Sequence, residues 1–161
     1  MKALLLALPL AVLAAGSALA NDPIPKQVLI TATVPTAAFH VEPIGGNWLT
    51  EPQQMGWDPR QEALLPIRRQ LTARSTVGPI SARLEDPATI ASGTDIISLN
   101  VRVGATDLTT TATQILAAQQ AAVGSTLDFV VAPTVPTGGY KPGNYQGLVR
   151  MTFETAAPPA T

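Results

Sequence analysis

The sequence predicts an exported, all-β domain, and three observations support this prediction. Short segments in which apolar and polar residues alternate recur along the chain, which is typical of half-buried strands. Fifteen prolines and twelve glycines lie largely between these segments, where they favour turns and end strands. An apolar leader precedes all of them. The fold class is therefore that of a β-domain carried behind a signal peptide.

The first 20 residues have the organisation of a secretory signal peptide. A short positive start at Lys2 is followed by the apolar run Ala3–Ala15. This run is shorter than the roughly 20 residues that a transmembrane helix requires. Ala18-Leu19-Ala20 then supplies the small-x-small site that signal peptidase recognises. We therefore expect export, with cleavage after Ala20.

The first predicted strand of the exported chain is Gln27–Val34. Two faces alternate along it, with Val28, Ile30, Ala32 and Val34 on one and Leu29, Thr31 and Thr33 on the other. It follows the polar, proline-broken segment Asn21–Lys26, a place where a chain end is usually loose unless something captures it. We interpret it as a strand that another copy of the protein captures.

The next predicted strands are Ala37–Val41, Ile67–Thr76 and Pro79–Glu85. The first is brief and lies before Pro43 and Gly45-Gly46. Val77-Gly78 is expected to join the other two by a turn. The third carries one core face, formed by Ile80, Ala82 and Leu84.

Farther along, the predicted elements are the strand Asp95–Val103 with a short return at Asp107–Thr110, a helix over Thr113–Ala122, and the buried strand Thr126–Ala132. Gly104-Ala105 is the turn signal that makes the first of these a hairpin. Alanine and glutamine favour the helix, which Gly124 is expected to end. Pro133–Pro142, rich in proline and glycine, is a predicted loop.

The last predicted strand, Asn144–Glu154, has the longest alternation in the chain. One face consists of Tyr145, Gly147, Val149, Met151 and Phe153. The other consists of Gln146, Leu148, Arg150, Thr152 and Glu154. Gly147 suits a bend or the close approach of another backbone. Ala156–Thr161 is a predicted disordered tail.

Composition limits the classes of partner and site. The formal net charge is −1, so neither nucleic acid nor an anionic membrane is an expected partner. Cysteine is absent, which excludes a disulfide framework and a thiolate metal site although the destination is oxidising. Stability must come from packing and strand pairing.

Both ends of the exported chain resemble a known family. Val28–Val34 and Pro142–Val149 are similar to the ends of the major pilins of the alpha-fimbriae, the coli surface antigen 1 family that includes colonisation factor antigens and cable pili. Val101–Gln120 and Ser125–Pro133 are also similar in order and spacing, whereas residues 43–66 depart from the pattern. The resemblance covers most of the exported chain.

The resemblance implies an incomplete immunoglobulin-like β-sandwich that is completed by a donor strand. A periplasmic chaperone first lends a strand, and at an outer-membrane usher the N-terminal extension of the next subunit replaces it. By position, the donor side chains would be Val28, Ile30, Ala32 and Val34. One wall of the acceptor groove would be formed by Tyr145, Gly147, Val149, Met151 and Phe153.

The implied product is a surface fimbria, a homopolymer in which pilin subunits join head to tail. A tip adhesin of this family carries an additional receptor-binding domain, for which this chain has no room, so a shaft subunit is expected. The expected division is a signal peptide at 1–20, a donor-strand extension at 21–36, the sandwich at 37–155 and a flexible tail at 156–161.

An enzymatic function is not expected. His40 has no partner motif, and the serines lack nucleophile-elbow spacing. The nearest carboxylate pairs, Glu85-Asp86 and Glu51 with Asp58, are typical of solvated turns. We expect no catalytic residue, cofactor or metal ion.

A secreted, monomeric carbohydrate-binding module is the alternative from another class. In that interpretation Trp48, Trp57 and Tyr140 form a flat platform for sugar rings. Fold class alone does not separate the two functions. Oligomeric state does, because a binding module is a stable monomer and a pilin polymerises.

Overall fold

A computed structural model describes residues 38–156 of the chain. The predicted signal peptide, the predicted donor strand Gln27–Val34 and residues 157–161 of the predicted tail lie outside them. The described elements are, in chain order, β1 Phe39–Ile44, β2 Trp57–Asp58, β3 Ala63–Leu64, β4 Ile67–Ser75, β5 Ile80–Leu84, β6 Thr89–Ser92, β7 Asp95–Val103, β8 Thr106–Asp107, β9 Thr113–Leu116, α1 Ala118–Val123, β10 Ser125–Pro133 and β11 Met151–Thr155.

Two antiparallel sheets make up most of the fold. The larger has the order β1-β4-β10-β7-β6, and β8 also pairs with β7. The smaller has the order β11-β5-β9. β2 and β3 pair with each other as a separate hairpin. The prediction of an all-β domain is confirmed.

A single apolar core lies between the two sheets. The larger sheet contributes Leu71, Ala73, Val101, Val103 and Phe129, and the smaller contributes Ile80, Ala82, Leu84 and Leu116. These side chains come from alternate positions of each strand, as expected where one face of a sheet is buried. The predicted core face of β5 is confirmed, and the fold is a β-sandwich.

The other strands with clear alternation also form as predicted. β7 has the predicted bounds, Asp95–Val103, and β10 extends the predicted buried strand by one residue at each end. Gly104, at φ +59°, makes the turn from β7 into β8. A positive φ of this kind costs glycine little, which is why the sequence signal at this turn was reliable.

The predicted helix over Thr113–Ala122 is wrong in its first half. Thr113–Leu116 forms the strand β9, in which Thr113 lies opposite Ala82 of β5. Pairing with β5 and burial of Leu116 outweigh the weak helix preference of this segment. The second half is confirmed as α1, and Gly124, at φ +86°, ends it as predicted.

The first described strand continues through Pro43 to Ile44, beyond the predicted end at Val41. The N–H of Thr76 donates to the carbonyl of Ala38 at 2.8 Å. Bonded and non-bonded pairs alternate along an antiparallel ladder. The backbone N–H and C=O groups of the even-numbered residues of β1 therefore bond β4, and those of the odd-numbered residues point away from β4. Among the described strands β1 is at an edge of its sheet, so Pro43 lies where its missing N–H costs no ladder bond to β4.

The predicted strand Asn144–Glu154 is wrong in its extent, because the chain changes sheets within it. Gln146 exchanges two backbone hydrogen bonds, of 2.9 and 3.0 Å, with Ala91 of β6 in the larger sheet. Met151 instead pairs with Leu84 in the smaller sheet, where β11 begins. Residues 147–150 make the crossing, so one continuous strand is geometrically impossible.

The prediction for Gly147 is confirmed. Its backbone passes directly over β6, and a Cβ at this position would collide with the carbonyl oxygen of Thr89 and lie 3.0 Å from Cα of Ile90. Strand β6, which Gly147 crosses, was not predicted from the sequence, and neither was the β2–β3 hairpin.

Candidate strand-acceptor site

The edge strands β1 and β11 lie on the same side of the sandwich. β1 is an edge of the larger sheet, and Phe39 in it lies opposite Ser75 of β4. Oγ of Ser75 is 2.8 Å from Oγ1 of Thr155, the last residue of β11. This contact joins the ends of β4 and β11, and we refer to the region between β1 and β11 as the cleft.

β11 presents a row of outward-facing backbone groups to this cleft. The N–H of Glu85 donates to the carbonyl of Arg150 at 3.0 Å, which sets the alternation of the ladder between β11 and β5. The N–H and C=O groups of Met151 and Phe153 therefore point away from β5. Among the described strands none pairs with this side of β11. Such an edge is a template for a further strand.

The side chains along the cleft are apolar but incompletely covered. Phe39 and Val41 of β1 pack against the core and are half-buried, as are Val149, Met151 and Phe153 at the opposite wall. On the neighbouring strand β5, Ile80 and Ala82 are fully buried. The core is thus fully buried at β5, and the apolar side chains of β1 and β11 are only half-buried.

Polar side chains in β11 and just before it make exposed contacts with the turn after β5. Arg150 lies 2.6 Å from Asp86 and 3.5 Å from Glu85. The hydrogen bond and charge of Asp86 raise the pKa of Arg150. Oγ1 of Thr152 also lies 3.1 Å from Oε1 of Glu85. The carboxylates of Glu85 and Asp86 are therefore ion-pair partners, which accords with their interpretation as turn charges.

Three of the five predicted acceptor residues lie in β11 or just before it. Val149, Met151 and Phe153 are half-buried and pack against the core. Tyr145 and Gly147 lie elsewhere, next to β6, because the chain reaches the smaller sheet only after them. Their acceptor role stays a prediction of the sequence that the fold does not favour. The four donor residues belong to the part of the chain outside 38–156.

The sequence did not identify β1 as the second wall. Phe39 and Val41 alternate with His40 and Glu42, which is the signal that would have indicated a one-sided strand. The alternation does not show which strand lies against each face, because that depends on how β1 pairs with β4.

Ser75 fixes the closed end of the cleft. Its side chain is fully buried, and Oγ accepts hydrogen bonds from the N–H groups of Val77 at 3.2 Å and Gly78 at 3.3 Å. We expect Ser75→Ala to lower the free energy of unfolding by about 1–3 kcal/mol, since these donors lose their partner in a buried place. Faster amide exchange at Val77 and Gly78 would report the loss directly.

Ser98→Ala is the matched control for this substitution. Ser98 is exposed on β7 and its side chain makes no hydrogen bond to the described residues. If amide exchange at Val77 and Gly78 is equal in the Ser75 and Ser98 variants, the buried hydroxyl of Ser75 does not stabilise this end of the cleft.

Groups suited to chemistry are dispersed over the described residues. Between residues 38 and 156 no three histidine, aspartate or glutamate side chains converge in the way a metal site requires. Over the same residues, no helix has the length and hydropathy needed to cross a membrane.

The flat aromatic platform expected of a carbohydrate-binding module is wrong. Trp48 belongs to the core, 6% exposed and stacked on Phe129 with ring centroids 5.0 Å apart. Trp57 and Tyr140 do meet, but edge to face, with ring planes at 90°. Three rings in one plane are therefore absent from this surface.

Comparison with known proteins gives a family and a fold. Residues 24–154 match the family described as CS1 type fimbrial major subunit. A search of curated proteins finds no match. Among solved structures, the chain is similar to the CooA pilin subunit from enterotoxigenic Escherichia coli, with a TM-score of 0.56 and 16% identity over 71% of this chain and 86% of that chain. At this identity the likeness establishes the pilin fold.

Proposed function

Because the chain belongs to the family of CS1 type fimbrial major subunits and is therefore a structural subunit of a surface pilus, we propose that its copies join head to tail by donor-strand exchange. In this proposal, Gln27–Val34 of one copy lies along β11 of the next. The side chains of Val28, Ile30, Ala32 and Val34 enter the cleft, and the opposite face of the strand stays outside.

One observation supports this proposal most directly: β11 offers both kinds of contact that an added strand needs. Its outward N–H and C=O groups at Met151 and Phe153 can pair with a strand backbone. The same cleft exposes parts of the apolar side chains of Phe39, Val41 and Phe153. Strand addition uses main-chain bonds for affinity and alternate side chains for fit.

The expected energies suit a fibre without covalent links. Burying the three larger donor side chains at about 1.5–3 kcal/mol each gives on the order of 5–9 kcal/mol before entropic costs, and Ala32 adds less. Each new ladder hydrogen bond contributes about 0.5–1.5 kcal/mol net of water. A joint of this strength dissociates slowly.

The arrangement also explains why growth produces a filament. The donor segment and the acceptor cleft are different surfaces of one chain, so the contact between copies is heterologous. Heterologous contacts that do not close by rotation generate open, helical polymers. Each copy that joins the fibre brings a further donor segment or acceptor cleft to which the next copy can bind.

Further partners follow from the same open edge. An unpaired strand beside apolar side chains promotes aggregation until it is covered. We therefore assign the subunit a periplasmic chaperone that covers the cleft, an outer-membrane usher where the exchange occurs, and a tip adhesin that begins the fibre. Residues 1–20 direct export, 21–36 carry the donor strand and 37–155 form the sandwich.

Removing the donor strand tests the proposal. Cells that produce the neighbouring secretion genes are given either the full chain or a chain without residues 27–34. We expect surface fibres in electron micrographs, and a ladder of oligomers on unheated gels, from the full chain alone. Fibres of normal length from the shortened chain would contradict donor-strand exchange while leaving the family assignment intact.

A further inference from the structure

The aromatic residues of the chain divide into two groups. There are seven in all, and every one lies between residues 38 and 156. Four of them, Phe39, Trp48, Phe129 and Phe153, belong to the core or pack against it. The other three, Trp57, Tyr140 and Tyr145, line one surface pocket. In a chain that is 4% aromatic, this concentration outside the core requires an explanation.

The pocket has the size and lining of a small-ligand site. It encloses about 400 Å³, within the range usual for such sites. Leu64 and the buried Ile97 make part of its lining apolar, while Trp57 remains 49% exposed. A large aromatic side chain that is half-exposed at the wall of a pocket buries more apolar area when a ligand covers it, which favours binding.

Polar groups at the pocket have capacity for a ligand with hydroxyl groups. Within the described residues, the indole N–H of Trp57 and the hydroxyl of Tyr140 make no hydrogen bond. The hydroxyl of Tyr145 donates to the carbonyl of Lys141 at 3.2 Å, so its oxygen can still accept. Free donors and acceptors beside apolar rings suit an amphipathic ligand.

Charge at the rim favours a neutral ligand. Nζ of Lys141 lies 2.6 Å from Oδ1 of Asp95, so the two charges compensate each other. The hydrogen bond and charge of Asp95 raise the pKa of Lys141, so the ammonium group stays protonated at neutral pH. The pair adds no net charge to the rim, so a neutral ligand needs no counter-ion there.

The pocket lies away from the proposed joint between subunits. Ile97 is on β7, near the edge of the larger sheet opposite β1, and Tyr145 directly precedes the residue bridged to β6. Donor-strand exchange at the cleft between β1 and β11 therefore does not use it. In a fibre the same pocket recurs once per subunit, which would convert a weak single site into firm attachment by multivalency.

We propose that this pocket binds one residue of a neutral saccharide. The apolar face of the sugar ring lies against the ring of Trp57, and its hydroxyl groups bond the indole N–H of Trp57 and the hydroxyls of Tyr140 and Tyr145. The site is a single pocket with rings at an angle, so it takes one sugar unit at a chain end in preference to an extended glycan.

Intact fimbriae on an immobilised glycan array test this proposal. The array carries neutral oligosaccharides ending in glucose, galactose, mannose, fucose or N-acetylhexosamine, with sialylated and sulfated forms for comparison. We expect retention on a subset of the neutral glycans. Trp57→Ala should weaken this retention at least about tenfold, as loss of a central aromatic contact usually does. Tyr140→Phe should weaken it less, since the ring remains.

Ile96→Ala is the matched control, because Ile96 adjoins Ile97 on β7 but is 62% exposed and does not line the pocket. Fibres of each variant are counted in electron micrographs before binding is compared. If wild-type fimbriae bind no neutral glycan better than the Trp57→Ala fimbriae, the pocket is not a saccharide site.

A second measurement serves if Trp57→Ala prevents assembly. The buried Trp48 and the exposed Trp57 are the chain's two tryptophans, so acrylamide quenching of wild-type fimbriae reports mainly on Trp57. Methyl glycosides of the same five sugars should reduce this quenching when the site is filled. No protection by any of them, together with failed assembly, would assign the pocket to a contact between subunits and overturn the proposal.

Discussion

Ile30→Asp subunits form no fimbriae and accumulate as folded complexes with the chaperone. Ile30 is near the middle of the proposed donor strand and would enter the cleft beside half-buried residues such as Phe153. The substitution removes the burial of one large aliphatic side chain, worth about 1.5–3 kcal/mol. It also places a carboxylate among apolar groups, at a cost of at least several kcal/mol unless the group is neutralised.

Together these terms weaken the joint by at least about a thousandfold. The core formed within residues 38–156 is expected to be unaffected, since its residues lie largely on the two sheets. Polymerisation is measured by the ladder of oligomers on unheated gels and by electron microscopy. The yield of chaperone complex shows whether the variant folds.

Thr31→Asp is the matched control. It introduces the same charge one residue later, on the face of Gln27–Val34 that would point away from the cleft. We expect fibres from this variant at close to the wild-type rate. If both variants polymerise normally, the donor assignment is wrong, and if both fail, the strand does not have the predicted inner and outer faces.

Alternation predicted the strands because it reports burial directly. Ile80, Ala82 and Leu84 face the core and their neighbours do not, and the same pattern set the bounds of β7. These strands lie inside a sheet or bury one full face, so each local pattern and its surroundings agree. The prediction of a pilin sandwich succeeded on such elements.

Local patterns failed where the neighbouring strand decides the outcome. Thr113–Leu116 has a composition that helices also accept, and it is a strand because β5 offers it a ladder. Residues 144–154 alternate without interruption, yet they pair first with β6 and then with β5. A period of two indicates extended backbone with two faces and does not identify the sheet.

The candidate sites show the same limit. The sequence indicated the donor strand and β11, but the opposite wall at Phe39 depends on the pairing of β1. It also treated Trp48 and Trp57 alike, because each lies in the same proline-punctuated region. In the structure Trp48 stacks on Phe129 and Trp57 lines the pocket. This difference results from packing, which no local sequence pattern encodes.

Gly147→Ala is expected to have the largest effect of any single methyl group added to the described fold. The new Cβ would collide with the carbonyl oxygen of Thr89 and lie 3.0 Å from Cα of Ile90. Both are backbone atoms of β6, so no side chain can rotate to make room. Relief requires the crossing segment to move away, which breaks the paired hydrogen bonds between Gln146 and Ala91.

We expect this overpacking to lower the free energy of unfolding by about 1–3 kcal/mol or more, measured as a lower denaturant midpoint. Gly56→Ala is the matched control, because its Cβ would lie 3.4 Å from the flexible side chain of Leu65 and its φ is not positive. Since the segment that crosses β6 leads directly into β11, the Gly147 variant should also assemble poorly. A Gly147→Ala midpoint equal to that of Gly56→Ala would mean that the chain reaches β11 by another path, and the acceptor edge would then have to be placed again.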